Sequence, residues 1–257
     1  MKLKITRRDF VKTSVAILLG ATSVKSVSGE GREKNLAMCI LVDRCIGCGM
    51  CVRACKKENN VPPDKPISRT WVEGYVVNIR VPYTESEVKK VVMNTVENPF
   101  DEFEWEEGKR FFVPKLCNHC QRAPCVRVCP VNARFYTEEG IVLVDKNSCI
   151  GCKYCVTACP YGATYIHPEE KVTDKCTYCY HRLKRGLKPA CVQACPTKAR
   201  VFGDINDPSS EISRILREEK IDVLLPEEGT DPKTFYVGLE NKFFVEHEIL
   251  RAEGYHE

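Results

Sequence analysis

One clause is written four times in this chain of 257 residues, and it is spelled in cysteine. The first copy reads Cys45-Ile-Gly-Cys48-Gly-Met-Cys51-Val-Arg-Ala-Cys55. The third reads Cys149-Ile-Gly-Cys152-Lys-Tyr-Cys155-Val-Thr-Ala-Cys159-Pro160, and eight of the eleven positions from first to last cysteine match. The second stretches one gap, Cys117-x-x-Cys120-x-x-x-x-Cys125-x-x-x-Cys129-Pro130. The fourth opens with Cys176-x-x-Cys179 and closes, eleven residues later, with Cys191-x-x-x-Cys195-Pro196. Together the motifs use sixteen of seventeen cysteines. The repetition continues past them. Cys129-Pro-Val-Asn-Ala-Arg-Phe, Cys159-Pro-Tyr-Gly-Ala-Thr-Tyr and Cys195-Pro-Thr-Lys-Ala-Arg-Val share a CPxxA core followed by β-favouring residues, so a short strand should follow each. With the strand-like run Gly140-Ile-Val-Leu-Val-Asp145, each unit reads as strand, cysteine loop, short helix, strand.

So many cysteines can mean a disulfide scaffold, zinc sites or iron-sulfur clusters, and spacing decides among them. Disulfide frameworks do not repeat CxxCxxCxxxCP. Zinc ribbons use two separated CxxC pairs, without a third cysteine two residues later and a fourth before proline. A four-iron cube presents four corners. Three thiolates of one CxxCxxC loop can wrap three of them, while the fourth cysteine points away and, in two-cluster bacterial ferredoxins, ligates the other cluster.

Charge excludes some classes and marks one segment. Residues 1–28 hold Lys2, Lys4, Arg7, Arg8, Lys12 and Lys25 against Asp9 alone, which leaves 33 basic and 34 acidic residues of the chain's 39 and 35 for the rest. That near-neutral body lacks the basic footprint of nucleic-acid binding. The opening Thr6-Arg7-Arg8-Asp9-Phe10-Val11-Lys12, the uncharged run Thr13 to Val24 and the small residues Ser26 and Ser28 resemble a twin-arginine export signal. The uncharged run is too short to span a bilayer, which takes about twenty apolar residues. The expectation is export in the folded state, with clusters already assembled, to the periplasm or the outer face of the cytoplasmic membrane. Cleavage after Ser28 fits the imperfect small-x-small pattern.

The order of the motifs, the stretched fourth copy, Glu58-Asn-Asn-Val-Pro62 after motif one and Val201-Phe-Gly-Asp-Ile-Asn-Asp-Pro208 after motif four resemble the iron-sulfur subunits of molybdopterin-dependent respiratory oxidoreductases. That resemblance implies an α+β fold of two pseudo-symmetric bacterial-ferredoxin-like modules, each with two [4Fe-4S] clusters. Motifs one and four form module A (38–60 plus 170–205), and motifs two and three form module B (115–169). An insert (61–114) and a C-terminal tail (206–257) complete the chain. It further implies four clusters: Cys45, Cys48, Cys51 and Cys195 on the first; Cys176, Cys179, Cys191 and Cys55 on the second; Cys117, Cys120, Cys125 and Cys159 on the third; Cys149, Cys152, Cys155 and Cys129 on the fourth. The implied function is electron transfer between a molybdopterin or tungstopterin catalytic subunit and an integral membrane quinone-reactive subunit or cytochrome. No residue of this chain would perform the substrate reaction. Two rival readings are an iron-sulfur enzyme acting on substrate directly, which needs a cluster short of one cysteine, and a zinc-bearing scaffold.

The remaining candidates read as structural. Cys39, in the apolar run Leu36-Ala-Met-Cys-Ile-Leu-Val42, fits a buried inert thiol. His119 and His181 read as hydrogen-bonding loop residues, and Arg53, Lys153, Tyr154 and Tyr178 as loop or packing residues able to tune a neighbouring cluster. Within the insert, Trp71 to Tyr83 alternates as strands do, Val88, Val91, Val92 and Val96 give Glu85 to Glu97 a helical period, and Asp101 to Lys109 is an acidic loop. Lys56 replaces the proline that ends the other motifs, a loss of turn rigidity. The tail offers a helix near Ser210 to Glu219 and a loop through Pro226 to Pro232.

Overall fold

The computed structural model describes residues 34–78, 87–100 and 109–239, and Glu33–Glu257 clusters as one compact unit. The export segment and the acidic loop of 101–108 lie outside the described residues.

Each motif is bracketed as its repeat predicts. Motif one runs from β1 (Leu36–Leu41) through α1 (Met50–Glu58) to β2 (Thr70–Asn78). The insert adds β3 (Glu87–Met93), and β4 (Lys109–Leu116) leads into motif two, α2 (Pro124–Arg127) and β5 (Arg134–Tyr136). Motif three follows β6 (Val142–Val144) with α3 (Tyr154–Thr157) and β7 (Thr164–Ile166). Motif four follows β8 (Thr173–Lys175) with α4 (Tyr180–Leu183), α5 (Ala190–Gln193) and β9 (Arg200–Asp204). The tail contributes α6 (Glu211–Glu218) and β10 (Thr234–Val237).

The sheets tie the motifs in a circuit. β1 pairs antiparallel with β9, joining motif one to motif four. β2 pairs with β4, joining one to two; β5 with β6, joining two to three; and β7 with β8, joining three to four. The helices instead pair off, α1 on α5 and α2 on α3. Strand alternation explains the odd cysteine. Met38 and Ile40 face the main core, which contains motif cysteines of all four copies, whereas Ala37, Cys39 and Leu41 face a second core made with Val201, Ile212 and Ile215. Cys39 is thus fully buried on the face turned away from its sixteen companions, and burial pushes its thiol up to about 12.

Two expectations need correction. The segment around Glu85 to Glu97 is no helix: Glu87–Met93 is a strand lying antiparallel along β2, with Gly74 opposite Val91 and Val72 opposite Met93. Its valines are β-branched and stiff at χ1, and pairing with a waiting strand outweighs a marginal helical period. Nor does Lys56 loosen its turn. Its buried ammonium donates to the carbonyls of Pro62, Lys65 and Ile67 at 2.8, 2.9 and 2.7 Å, fastening the segment after α1 by charge-assisted bonds in place of a fixed φ. The tail is tied into the body by its backbone. β10 pairs in parallel with β1, and Gln121 and Arg122 of motif two donate their N–H groups to the carbonyls of Asp231 and Thr230. Helix α6 meets expectation, capped by Ser210, whose hydroxyl accepts from the Ser213 N–H at 3.2 Å, with Ile212 and Ile215 buried one turn apart.

The insert sheet is anchored by a buried ion pair. Lys115 lies 2.8 Å from Glu73, whose carboxylate also accepts from Trp71 Nε1 at 2.8 Å and from the Tyr75 hydroxyl. Burial alone would raise the Glu73 carboxyl, but Lys115 and these donors hold it below the usual carboxylate range. Arg69, at the head of β2, pairs with Asp174 of β8 at 2.9 Å and so fastens the insert to motif four.

Candidate metal centre

All seventeen cysteines are free, and nine of the sixteen motif cysteines are buried. Their thiols gather in groups that the chain order scatters. Cys45 interacts electrostatically with Cys51 and with Cys195, 150 residues on. Cys55 does so with Cys191, Cys176 and Cys179, and Cys120 with Cys117, Cys159 and Cys125. For Cys149, Cys152, Cys155 and Cys129 the link runs through packing, since α2, just before Cys129, lies on α3, which carries Cys155.

Interactions also cross between groups, at three places. Cys191 feels Cys51, Cys176 feels Cys117, and Cys125 feels Cys155. Taken with the expected ligand sets, these interactions link the first group to the second, the second to the third and the third to the fourth. Exposure follows that order. Of the inner eight, Cys55, Cys117, Cys120, Cys125, Cys176, Cys179 and Cys191 are buried and Cys159 is partly exposed, whereas of the outer eight Cys51 and Cys155 are buried, Cys45, Cys48, Cys129, Cys149 and Cys195 are partly exposed and Cys152 is exposed. The two ends match residue for residue: Ile46 and Ile150 are 58% and 65% exposed, and Met50 and Tyr154 are 43% and 62% exposed.

The loops are built to turn around something. Lys153, His119, Tyr178 and Cys179 all have positive φ, a costly conformation away from glycine. Backbone N–H groups reach sulfur at 3.5 Å from His119 to Cys117, 3.4 Å from Tyr178 to Cys176 and 3.3 Å from Ala199 to Cys195. Burial pushes the thiols of Cys45 and Cys120 up to about 12 and those of Cys159 and Cys191 up to about 11, and it drives Cys55 and Cys176 upward as well. Cys149 differs. Burial raises it, but the Thr173 hydroxyl and backbone N–H groups prevail and hold its thiol below the ordinary value. Crowded thiols that resist ionisation suit a metal, because coordination removes the proton outright. Among the described residues no three His, Cys, Asp or Glu side chains close on one point as a single ion requires. The donor set suits the separated corners of an iron-sulfur cube.

Sequence reasoning missed one pair. His119 and Tyr178 occupy the same place in motifs two and four, just before the second cysteine, and their rings stack with centroids 3.7 Å apart. Tyr178 interacts with Cys176 of the second group and with Cys117 and Cys120 of the third, so the stack fills the junction between them. His119 Nδ1 accepts from the Val142 N–H at 3.1 Å, and burial, with Lys175, Lys233 and Arg134 nearby, holds the ring neutral. The repeat alignment was the available signal. His181 instead pairs with Glu58 at 2.7 Å on the surface, and Arg53 donates to the Val96 carbonyl at 3.2 Å.

Fold and site together define a ferredoxin-type protein that carries [4Fe-4S] clusters and moves electrons. Two stretches, 44–133 and 108–205, match family models described as 4Fe-4S dicluster domains. The sequence is 44% identical to a tetrathionate reductase subunit of Salmonella typhimurium over 93% of its own length and 90% of that protein's. It is 43% identical to a tetrathionate reductase subunit of Archaeoglobus fulgidus (87% and 95%) and 34% identical to the arsenate respiratory reductase iron-sulfur subunit of a Shewanella species (79% and 96%). A polysulfide reductase polypeptide of Wolinella succinogenes is 39% identical (75% and 88%). This protein belongs to the family of four-cluster iron-sulfur subunits of molybdopterin-dependent respiratory oxidoreductases. It carries four [4Fe-4S] clusters as an electron carrier, and the catalytic subunit is another chain.

Proposed function

We propose that electrons step through the four clusters in file, between a molybdopterin or tungstopterin catalytic subunit at one end and an integral membrane quinone-reactive subunit or cytochrome at the other. The single observation that carries this reading is the difference in exposure along the file, with six of eight cysteines at least partly exposed at the ends and one of eight, Cys159, in the middle. A storage protein or an enzyme with one working cluster has no use for two exposed termini. Cys45, Cys48, Cys51 and Cys195 would hold the first cluster, Cys55, Cys176, Cys179 and Cys191 the second, Cys117, Cys120, Cys125 and Cys159 the third, and Cys129, Cys149, Cys152 and Cys155 the fourth. The pairing of α1 with α5 and of α2 with α3 supports two ferredoxin-like modules that exchange their last ligands. A cube with four thiolates has no open coordination site, so it exchanges electrons and binds no substrate. Among the described residues no helix is long and apolar enough to cross a membrane, consistent with a separate subunit for membrane contact.

Relatives named for tetrathionate and polysulfide reduction make a sulfur compound a reasonable terminal substrate of the complex. The twin-arginine segment supports export in the folded state to the outer face of the membrane, and replacing Arg7 and Arg8 together by Lys should hold the protein in the cytoplasm. Anaerobic purification of the tagged chain from its native membrane tests the relay itself. The reading expects a molybdenum- or tungsten-containing chain and a membrane subunit to accompany it, and clusters that the partner's reductant reduces. A chain that purifies alone and turns over a sulfur oxyanion by itself would overturn it.

A further inference from the structure

Two arginines repeat as the cysteines do. Arg134 and Arg200 each stand five residues after the last cysteine of motifs two and four, and each opens the strand that follows, β5 and β9. Both are 2% exposed. Arg200 Nη2 donates to the Thr70 hydroxyl at 2.8 Å and to Cys51 Sγ at 3.4 Å, and the guanidinium also interacts with Cys191 and Cys45. Arg134 Nη1 donates to the Thr164 hydroxyl at 3.4 Å, and its charge acts on Cys125 and on Cys149. Thr70 opens β2 after motif one, and Thr164 opens β7 after motif three. The same device is therefore built twice, an arginine from one motif of a pair bonded to a threonine behind the other.

In both copies donors are left over. Arg200 Nη1 and Arg134 Nε and Nη2 are buried without a hydrogen-bond partner. Buried cations are ordinarily paired with an anion, and buried N–H groups without acceptors are costly. Cysteine sulfur is near both groups: Arg200 donates to Cys51, and the charge of Arg134 acts on Cys125 and Cys149. A cube on four thiolates is a net anion, and its sulfurs accept hydrogen bonds that help set its potential.

We propose that Arg200 and Arg134 turn their unpaired N–H groups on cluster sulfur, each between the two clusters of its own motif pair, and thereby raise the reduction potentials of those clusters. The proposal rests on the ligand sets given above. Reduction adds one electron to a cluster and breaks no bond, and the guanidinium stays protonated throughout. Its charge favours the more negative, reduced cube, so its removal lowers the potential.

The test is a reductive titration, followed by electron paramagnetic resonance, of the full-length holoprotein and of R134M, R200M, R134K, R200K, T70V and T164V, with iron counted in each. Wild-type protein without iron-sulfur clusters would contradict the cluster assignment itself and is thereby told apart from failure of this proposal. With clusters present, R200M should lower the reduction equilibrium of the clusters on Cys45 and Cys55 about tenfold, which is 59 mV for one electron, and R134M should do the same to the other two. The lysine variants keep the charge with fewer aimed donors, so they should shift the same clusters by less. They also carry the test if a methionine variant assembles poorly. The threonine variants remove the anchoring bond and leave the spare donors, so their potentials should stay near wild type. Iron-replete arginine variants with unchanged potentials, or threonine variants that shift them as far, would overturn the proposal.

Discussion

The two inner thiol groups and the two outer ones come from the same repeated clause, yet they live in different media. Inside, Cys55, Cys117, Cys120, Cys125, Cys176, Cys179 and Cys191 are buried and only Cys159 is partly exposed. Outside, only Cys51 and Cys155 are buried, and isoleucine and a large neighbour stand in solvent at each rim. The difference separates two tasks. Buried cubes are shielded from water and adventitious oxidants and hand electrons only to each other, while exposed ones can meet another protein. Burial has a structural consequence too. Burial pushes up the thiols of Cys55, Cys120, Cys125, Cys159, Cys176 and Cys191, so folding of this centre should depend on metal replacing their protons.

Metal removal should break the comparison most completely. Stripping iron with a chelator under reducing conditions should abolish cooperative thermal unfolding of the chain, because the main core is built around ligand cysteines of every motif. Circular dichroism melts before and after stripping check this, and an apo chain that still melts cooperatively would contradict it. Next in size is a single ligand. Cys55→Ser sits in the most buried group, where motif one meets motif four inside module A, so iron per chain should fall by about half. Cys152→Ser, the exposed ligand, should cost no more than one cluster. Iron and labile-sulfide analysis separates these outcomes, and equal losses would erase the distinction between inside and outside.

Gly151 offers a narrower cut. It has φ +68°, and a Cβ there would lie 2.6 Å from the backbone oxygen of Lys171, a main-chain atom that cannot swing aside as the end of a side chain can. Gly151→Ala should therefore deplete the fourth cluster and leave the inner two intact, read from the resonance signals that survive. The smallest effect expected is kinetic. Mild ferricyanide oxidation of the isolated holoprotein should bleach the visible absorbance in two phases, the outer clusters first, and a single phase would argue that all four are equally sheltered.

Much of this was legible in the cysteines alone. The strands after motifs two, three and four followed from CPxxA and its β-favouring sequel, and the burial of Cys39 from its strand-like apolar run, whereas the face it takes became visible only in the fold. The insert was misread where valines satisfied two periods at once, and only the presence of β2 alongside decided between them. Lys56 was misjudged because its worth depends on three carbonyls that fold back to it from beyond the motif. The His119 and Tyr178 stack, the tail's grip on motif two and the two buried arginines are long-range facts. Aligning the repeats points to such positions, but it does not tell which of them meet.

The arrangement in space can be seen directly. Anomalous diffraction at the iron edge, from crystals of anaerobically prepared holoprotein, would locate every iron atom without reference to the cysteines. Four compact iron sites in single file should appear, each nearer its neighbours in the file than to any other, with the end sites close to the surface near Ile46 and Ile150. Two sites, a branched arrangement, or zinc in place of iron would contradict the account.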